Sequence, residues 1–342
     1  MRAVFTDEQE MLRTTASRIA ELVAVTTPDD LSRLDRAGAW RALAAAGLLG
    51  MRARDEQGAP LTSAVEVMLV VQGLAAAIAP APFVGAVLAA DLLIRAGAPA
   101  GWIDDIAAGR MRYSVILNSA LDGLADPQAL EGAVCIDADG ATFGLALTSG
   151  GQVARLDLAG ATTMEGVDLT RPIVATAQAL EAEVVGAPLS AADLDSWTAL
   201  ALTLVSADIV GVLQGGLRRA VDYSKTRVQY GVPIGSFQAV QHMCAEMLVE
   251  TEAAASATNY AAWAVDALEP DAALLAARTA KACCAPVAQK VGEMLMQAYG
   301  GIGQVWEHEA HLRTRRAMFD RKIFGDEAHQ LLAIADARLG RA

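Results

Sequence analysis

Two stretches decide how the rest of the chain reads: Tyr223-Ser-Lys-Thr-Arg227-Val-Gln229-Tyr230-Gly231-Val-Pro233-Ile-Gly-Ser236-Phe237-Gln238, and the later Gln297-Ala-Tyr-Gly300-Gly301-Ile-Gly303. In the first, a helix ends on a cation, an amide and a ring (Arg227, Gln229, Tyr230), and Gly231 with Pro233 breaks it. A second helix is expected from Ser236, where Val240, Cys244, Met247 and Leu248 recur at helical spacing. One face of that helix suits a core, and the loop before it stays free for a ligand. In the second stretch Gly300, Gly301 and Gly303 end a helix and leave bare backbone N–H groups that an anion or a flat ring can approach.

Working outward, 342 residues suffice for two or three subdomains around a large core. With 54% hydrophobic and 20% charged residues, the composition excludes disorder and suits a globular helical protein. A formal net charge of −13 argues against nucleic-acid binding and against an anionic membrane surface as the main task. A polyanionic ligand then needs a local cationic patch. The densest is Arg313, Arg315, Arg316, Arg321 and Lys322, and a solvated helix face beside Glu307, Glu309 and Asp320 accounts for it equally well. The four cysteines (Cys135, Cys244, Cys283, Cys284) show no metal spacing and read as packed free thiols in a reducing cytoplasm. No N-terminal apolar leader and no uninterrupted apolar run of spanning length is evident, so a cytoplasmic protein is expected.

Thr6 to Gln9 reads as a capping box opening a helix to about Val25, stopped by Thr26-Thr27-Pro28. Further helices are expected around Trp40 to Ala46, over Leu61 to Ile78 (apolar all round, hence central), Val84 to Ala96 and Trp102 to Gly109. From Arg112 the pattern turns to period two: Tyr113 to Leu117, Ala133 to Ile136, Ala141 to Leu147, Gln152 to Leu158, ending near Gly186. Helix returns over about 191 to 226, 236 to 266, 270 to 298 and 307 to 339, a four-helix bundle. The domains expected are residues 1–111 (helical), 112–187 (small β) and 188–342 (helical bundle).

Arg227-x-Gln229-Tyr230-Gly231-x-Pro233-Ile-x-x-Phe237-Gln238, followed by Gln297-x-x-Gly300-Gly301-x-Gly303, resembles the C-terminal domain of the acyl-CoA dehydrogenases, flavoenzymes that desaturate CoA thioesters. The resemblance implies a mainly α fold with an N-terminal helical domain, a middle β-barrel and a C-terminal four-helix bundle. It implies FAD as cofactor, with Arg227, Gln229, Tyr230, Phe237, Gln297, Gly300 and Gly301 reaching across an interface to the FAD diphosphate and adenosine of a neighbouring subunit. Read on their own, Gln297 and the glycines also serve as a plain helix C-cap, and Arg227 as a bundle ion pair.

Several segments depart from the family pattern. Arg54-Asp55-Glu56-Gln57-Gly58-Ala59 stands where Pro-Glu-x-x-Gly-Gly is usual, after a matching Trp40-x-x-Leu43-x-x-x-Gly47-Leu-Leu-Gly50. Asn118-Ser-Ala-Leu121-Asp122-Gly123 replaces the Thr-Glu-Pro-x-x-Gly-Ser-Asp loop that holds flavin and substrate, and no Trp-Ile-Thr/Ser segment follows. Phe324 stands where many members carry the Glu that removes the proton alpha to the thioester carbonyl. The other position for a base falls near Asp266, which a solvated helix end explains more simply. His308, His311 and His329 read as surface or capping residues, with no ligand set for a metal, and His242 as a packed or capping residue rather than a proton carrier. No catalytic residue is therefore assigned.

Trp306-Glu307-His308 and the Phe324-Gly325-Asp326 ending are similar to actinobacterial subunits of α2β2 heterotetramers acting on bulky, steroid-derived CoA thioesters. The expectation is a subunit that supplies the trans half of an FAD site to a fuller partner, with an electron-transfer flavoprotein as acceptor. A vacated pocket on this chain would admit a fused-ring group. The alternatives are a self-sufficient homotetramer using Asp266 and a flavin-free scaffold.

Overall fold

The computed structural model describes residues 4–164, 166–175 and 181–340. The N-terminal part is built from α1 (Asp7–Glu21), α2 (Arg36–Ala45), α3 (Ala64–Ala76), α4 (Phe83–Arg95) and α5 (Ala100–Ala107). Thr6 and Gln9 form the expected capping box, but α1 stops at Glu21 rather than Val25. The Asp30 carboxylate accepts from the N–H groups of Thr26 and Thr27, both at 2.9 Å, and this holds the chain in a turn. Likewise α3 begins three residues later than expected, because Ser63 and Glu66 form a second capping box. Every residue from Val67 to Ala75 is buried, as its all-round apolar sequence requires.

The middle region is a seven-stranded sheet: β1 (Tyr113–Leu117), β2 (Val134–Cys135), β3 (Phe143–Leu147), β4 (Val153–Asp157), β5 (Thr162–Met164), β6 (Ile173–Ala175) and β7 (Ala182–Val185). Its order is β5-β6-β2-β1-β3-β4-β7. β1 serves two partners: its first half pairs parallel with β3, Val115 opposite Leu145, and its second half pairs antiparallel with β2, Ile116 opposite Cys135. The sheet thus turns at β1 around a small core of its own, including Ile116, Cys135, Leu156 and Val174. Burial pushes the Cys135 thiol up to about 12, and Cys284 in the bundle likewise, so both are packing groups rather than nucleophiles.

The C-terminal part holds α6 (Ala191–Thr226), the two-stranded hairpin β8 (Val228–Gln229) and β9 (Val232–Pro233), α7 (Gln238–Ala267), α8 (Pro270–Tyr299), α9 (Ala310–Lys322) and α10 (Glu327–Leu339). By length and composition α6 could cross a membrane, which the sequence reading did not anticipate; 89% of its most apolar window is buried inside the protein. It is the central helix, packed by α3, α7 and α8. Gly215 lets α3 approach it, since a Cβ there would lie 2.1 Å from the Ala76 carbonyl oxygen. α7 starts at Gln238, after a 3-10 turn over Ile234–Ser236.

The expected single helix over 307 to 339 is divided. Phe324 and Gly325 take φ of 58° and 83°, which ends α9, and the Asp326 carboxylate caps α10 by accepting from the His329 N–H. Buried charges lock the sheet to the bundle. Arg171, from the loop before β6, pairs with Asp168 at 2.7 Å and with Asp320, while Arg316 holds Asp208 through two bonds of 2.7 Å. Burial alone would raise Asp208, but the charges of Arg316 and Arg171 outweigh it and hold it well below the carboxylate range. Burial wins at Asp320, which is pushed up despite Arg171. Arg316 and Arg313 also donate to the carbonyls of Ala79 and Ala76, both at 2.9 Å, at the end of α3.

Candidate functional site

α6 ends because Arg227 swings to an extended conformation, φ −71° and ψ 121°, with its N–H still donating to the Tyr223 carbonyl at 2.8 Å. Tyr230 and Gly231, at φ 54° and 82°, then form the two-residue turn of the β8–β9 hairpin. The hairpin closes back when the Ile234 N–H donates to the Arg227 carbonyl at 2.8 Å. Arg227, Gln229, Tyr230 and Phe237 are all exposed, Tyr230 to 94%, and its ring meets Phe237 edge-on at 6.3 Å. Among the described residues nothing pairs with the Arg227 guanidinium, so the alternative of a bundle ion pair does not hold.

At the end of α8, Gln297 is exposed and its carbonyl accepts from the Gly300 N–H. Gly300 needs its φ of 61°, which a side chain would strain. Gly301 has no such need, and a Cβ on it would meet nothing within 4 Å. Nothing among the described residues requires a glycine there. Tyr223 of α6 and Tyr299 of α8 lie 4.9 Å apart, which roots both stretches at one end of the bundle. Among the described residues no hydrogen bond links Arg227, Gln229, Tyr230 or Phe237 to Gln297, Gly300 or Gly301.

The two other family positions meet each other. Asn118 to Gly123 is a tight turn: the Asn118 side chain donates to Asp122 at 2.8 Å, and the Asn118 N–H donates to the Gly123 carbonyl at 3.0 Å. The carbonyl of Leu121 accepts from the Gly325 N–H at 3.1 Å. Phe324 is 3% exposed and packs edge-on against Trp197 of α6, centroids 5.8 Å apart. Its carbonyl accepts from the buried Gln330 amide at 2.6 Å, and that of Gly325 from Lys281 at 3.1 Å. Burial lowers Lys281 to about 8, with the Asp320 charge opposing. At this corner Phe324 and Trp197 pack together in the core, with Leu121 against it.

Asp266, the cationic patch and the histidines each have defined surroundings. Asp266 is an exposed carboxylate at the end of α7, as expected, and is tied down there: it binds Arg52 at 3.0 Å and accepts from the Ala64 N–H at 2.5 Å, joining α7 to α3. Two members of the cationic patch are drawn inward rather than solvated, since Arg313 and Arg316 are 2% exposed and engage Glu309 and Asp208. Outside them, Arg321 pairs with Glu327 and Lys322 with Asp326. As for the histidines, His308 accepts from the Ala310 N–H at 3.1 Å at the start of α9, and His311 lies 3.0 Å from the Trp306 carbonyl. Sequence reasoning missed Trp197, Leu121 and Gly325 as a contact; only Gly325, a glycine inside a helical run, carried a signal.

A helical layer, a small sheet and a helical bundle, with this hairpin and glycine end, define a flavoenzyme fold of the dehydrogenase type. Residues 6–109 match the acyl-CoA dehydrogenase N-terminal domain and residues 202–339 the C-terminal domain, so the chain belongs to the acyl-CoA dehydrogenase family of oxidoreductases. It is 30% identical to the acyl-CoA dehydrogenase IpdE2 of Mycobacterium tuberculosis, over 91% of both chains. It is also 30% identical to acyl-CoA dehydrogenase FadE34 of the same organism, over 93% of this chain but only 46% of the relative. Among solved structures, the ChsE4-ChsE5 complex from Mycobacterium tuberculosis matches with a TM-score of 0.79 at 24% identity, covering 100% of both chains. A Tcur3481-Tcur3483 steroid acyl-CoA dehydrogenase variant matches with a TM-score of 0.80 at 24% identity, covering 98% of both chains.

Proposed function

We propose that this chain is one subunit of an FAD-dependent acyl-CoA dehydrogenase that introduces an alpha-beta double bond into a bulky, steroid-derived CoA thioester. It supplies the trans half of the FAD site to a second, fuller dehydrogenase subunit in an α2β2 assembly. The observation that carries this reading is the contact of Leu121 with Gly325 beside buried Phe324. Where a self-sufficient subunit keeps a flavin loop and a base, this chain bonds one segment to the other and fills the gap with a ring. Phenylalanine cannot abstract a proton, so the carboxylate belongs to the partner.

The residues on the open end fit the phosphates and rings of FAD. Unpaired Arg227 offers a planar fork to the diphosphate, Gln229 and Gln297 offer amides, Tyr230 and Phe237 offer ring faces, and Gly300-Gly301 lets backbone N–H groups come close. When bound, FAD accepts the beta hydride, and an electron-transfer flavoprotein is the expected acceptor after it. The substrate class rests on the steroid acyl-CoA dehydrogenase structure that the fold resembles, and the two-subunit reading on that structure and the ChsE4-ChsE5 complex.

The test is co-expression with a fuller homologous subunit. One FAD per pair of chains is expected, and Arg227→Ala should weaken flavin retention about 10- to 100-fold, the range for losing a charge-assisted hydrogen bond. The isolated chain should be colourless. A yellow isolated chain that oxidises an acyl-CoA would overturn the proposal in favour of a homotetramer, and absence of flavin from every combination would leave the scaffold.

A further inference from the structure

Where α1, α3 and α6 meet, the close helix contact at Gly215 leaves a polar cavity of about 330 Å³ beside it, lined by Arg13, Thr14, Ser17, Gln72, Gln214 and Arg218 among others. Three observations single it out. First, its charge is not balanced: Arg218 has no carboxylate and no hydrogen-bond acceptor among the described residues, and Arg13 pairs only with Glu10, at 2.6 Å. Burial and the neighbouring charges of Arg13 and Arg219 pull Arg218 below its ordinary value, with no acid opposing them. Second, Gln72 is 8% exposed and its Nε2 makes no hydrogen bond. A buried amide without a partner is costly, and an acceptor within the cavity removes that cost. Third, the hydroxyls of Thr14 and Ser17 already donate to the carbonyls of Glu10 and Arg13, at 2.9 and 3.0 Å. Among the described residues the donors left free are the Arg218 guanidinium, the part of Arg13 that Glu10 does not engage, and the Gln72 and Gln214 amides.

The cavity at Arg52 and Arg95 lacks this imbalance, since they face Asp91, Asp266 and Asp193. In a chain of net charge −13, two under-compensated arginines converging with two free amides form a local well for an anion.

We propose that this cavity binds a phosphate-type oxyanion, free or carried on a small organophosphate. The Arg218 fork takes two oxygens side by side, Arg13 neutralises the second charge, and Gln72 donates from the buried wall. The site lies apart from the hairpin and glycine segment, so it stands or falls independently of the flavin proposal.

Thermal unfolding of the full chain tests it, with inorganic phosphate, glycerol phosphate or adenosine monophosphate added against chloride at matched ionic strength. A saturable rise in Tm is expected with at least one of them, since a ligand that binds only the folded chain stabilises it by mass action. A larger rise with either organophosphate assigns the site to an esterified phosphate; equal rises assign it to the bare oxyanion. Arg218→Gln, an exposed substitution, should weaken the apparent affinity about tenfold or more, Arg13→Gln less, and Lys225→Gln, outside the cavity, not at all. No saturable rise with any of the three anions, or an undiminished rise in Arg218→Gln, overturns the proposal.

Discussion

The β8–β9 hairpin and the loop between α9 and α10 use the same backbone device and put it to opposite ends. Each places an aromatic residue and then a glycine at positive φ: Tyr230-Gly231 at 54° and 82°, Phe324-Gly325 at 58° and 83°. An aromatic residue is unfavourable in that region and persists only where its surroundings hold it. Around Phe324 the holding is internal: the ring on Trp197, the carbonyl on Gln330, the following N–H on Leu121. Tyr230 is 94% exposed, with only Phe237 beside its ring. The same turn is thus a closed plug at one place and, at the other, a projecting edge open to the outside.

The comparison can be broken in three places. The largest effect belongs to Phe324→Ala, which empties a packed site and should cost about 3–5 kcal/mol in denaturant unfolding. A cost below about 1 kcal/mol would mean that the corner is not closed by packing. Next, Asp266→Asn removes the charge that joins α7 to Arg52 and should cost about 1–3 kcal/mol, with turnover of the assembled complex unchanged. Turnover abolished by this substitution would restore Asp266 as a base and support the homotetramer. The smallest is Tyr230→Asn, which suits the turn better and should shift stability of the isolated chain by less than about 1 kcal/mol. In the co-expressed complex it should lower flavin retention, and unchanged retention would mean that the projecting ring touches no cofactor.

Much of the architecture was legible because it rests on local rules. The Thr6 capping box, the all-round apolar run of α3 and the limits of α6 follow from residue types at fixed offsets. The break at Phe324 was not legible, since an aromatic residue in a helical run signals core, and its positive φ is imposed by Leu121, Gln330 and Lys281 from elsewhere in the chain. The cationic patch misled for a similar reason. Arg313 and Arg316 look solvated beside their own acidic neighbours, but Asp208 and the carbonyls at the end of α3, far away in sequence, draw them inward. Of the site, the hairpin and glycine stretches were readable as motifs, whereas the Leu121–Gly325 contact depends on two segments that only the folded chain juxtaposes.

That contact also constrains what mutation can undo. Rebuilding a flavin loop at 118–123 alone would strip the Leu121 carbonyl of its donor, and restoring a carboxylate at 324 alone would bury a charge against Trp197. Each change costs stability unless the other accompanies it, so the two segments are expected to vary together rather than singly.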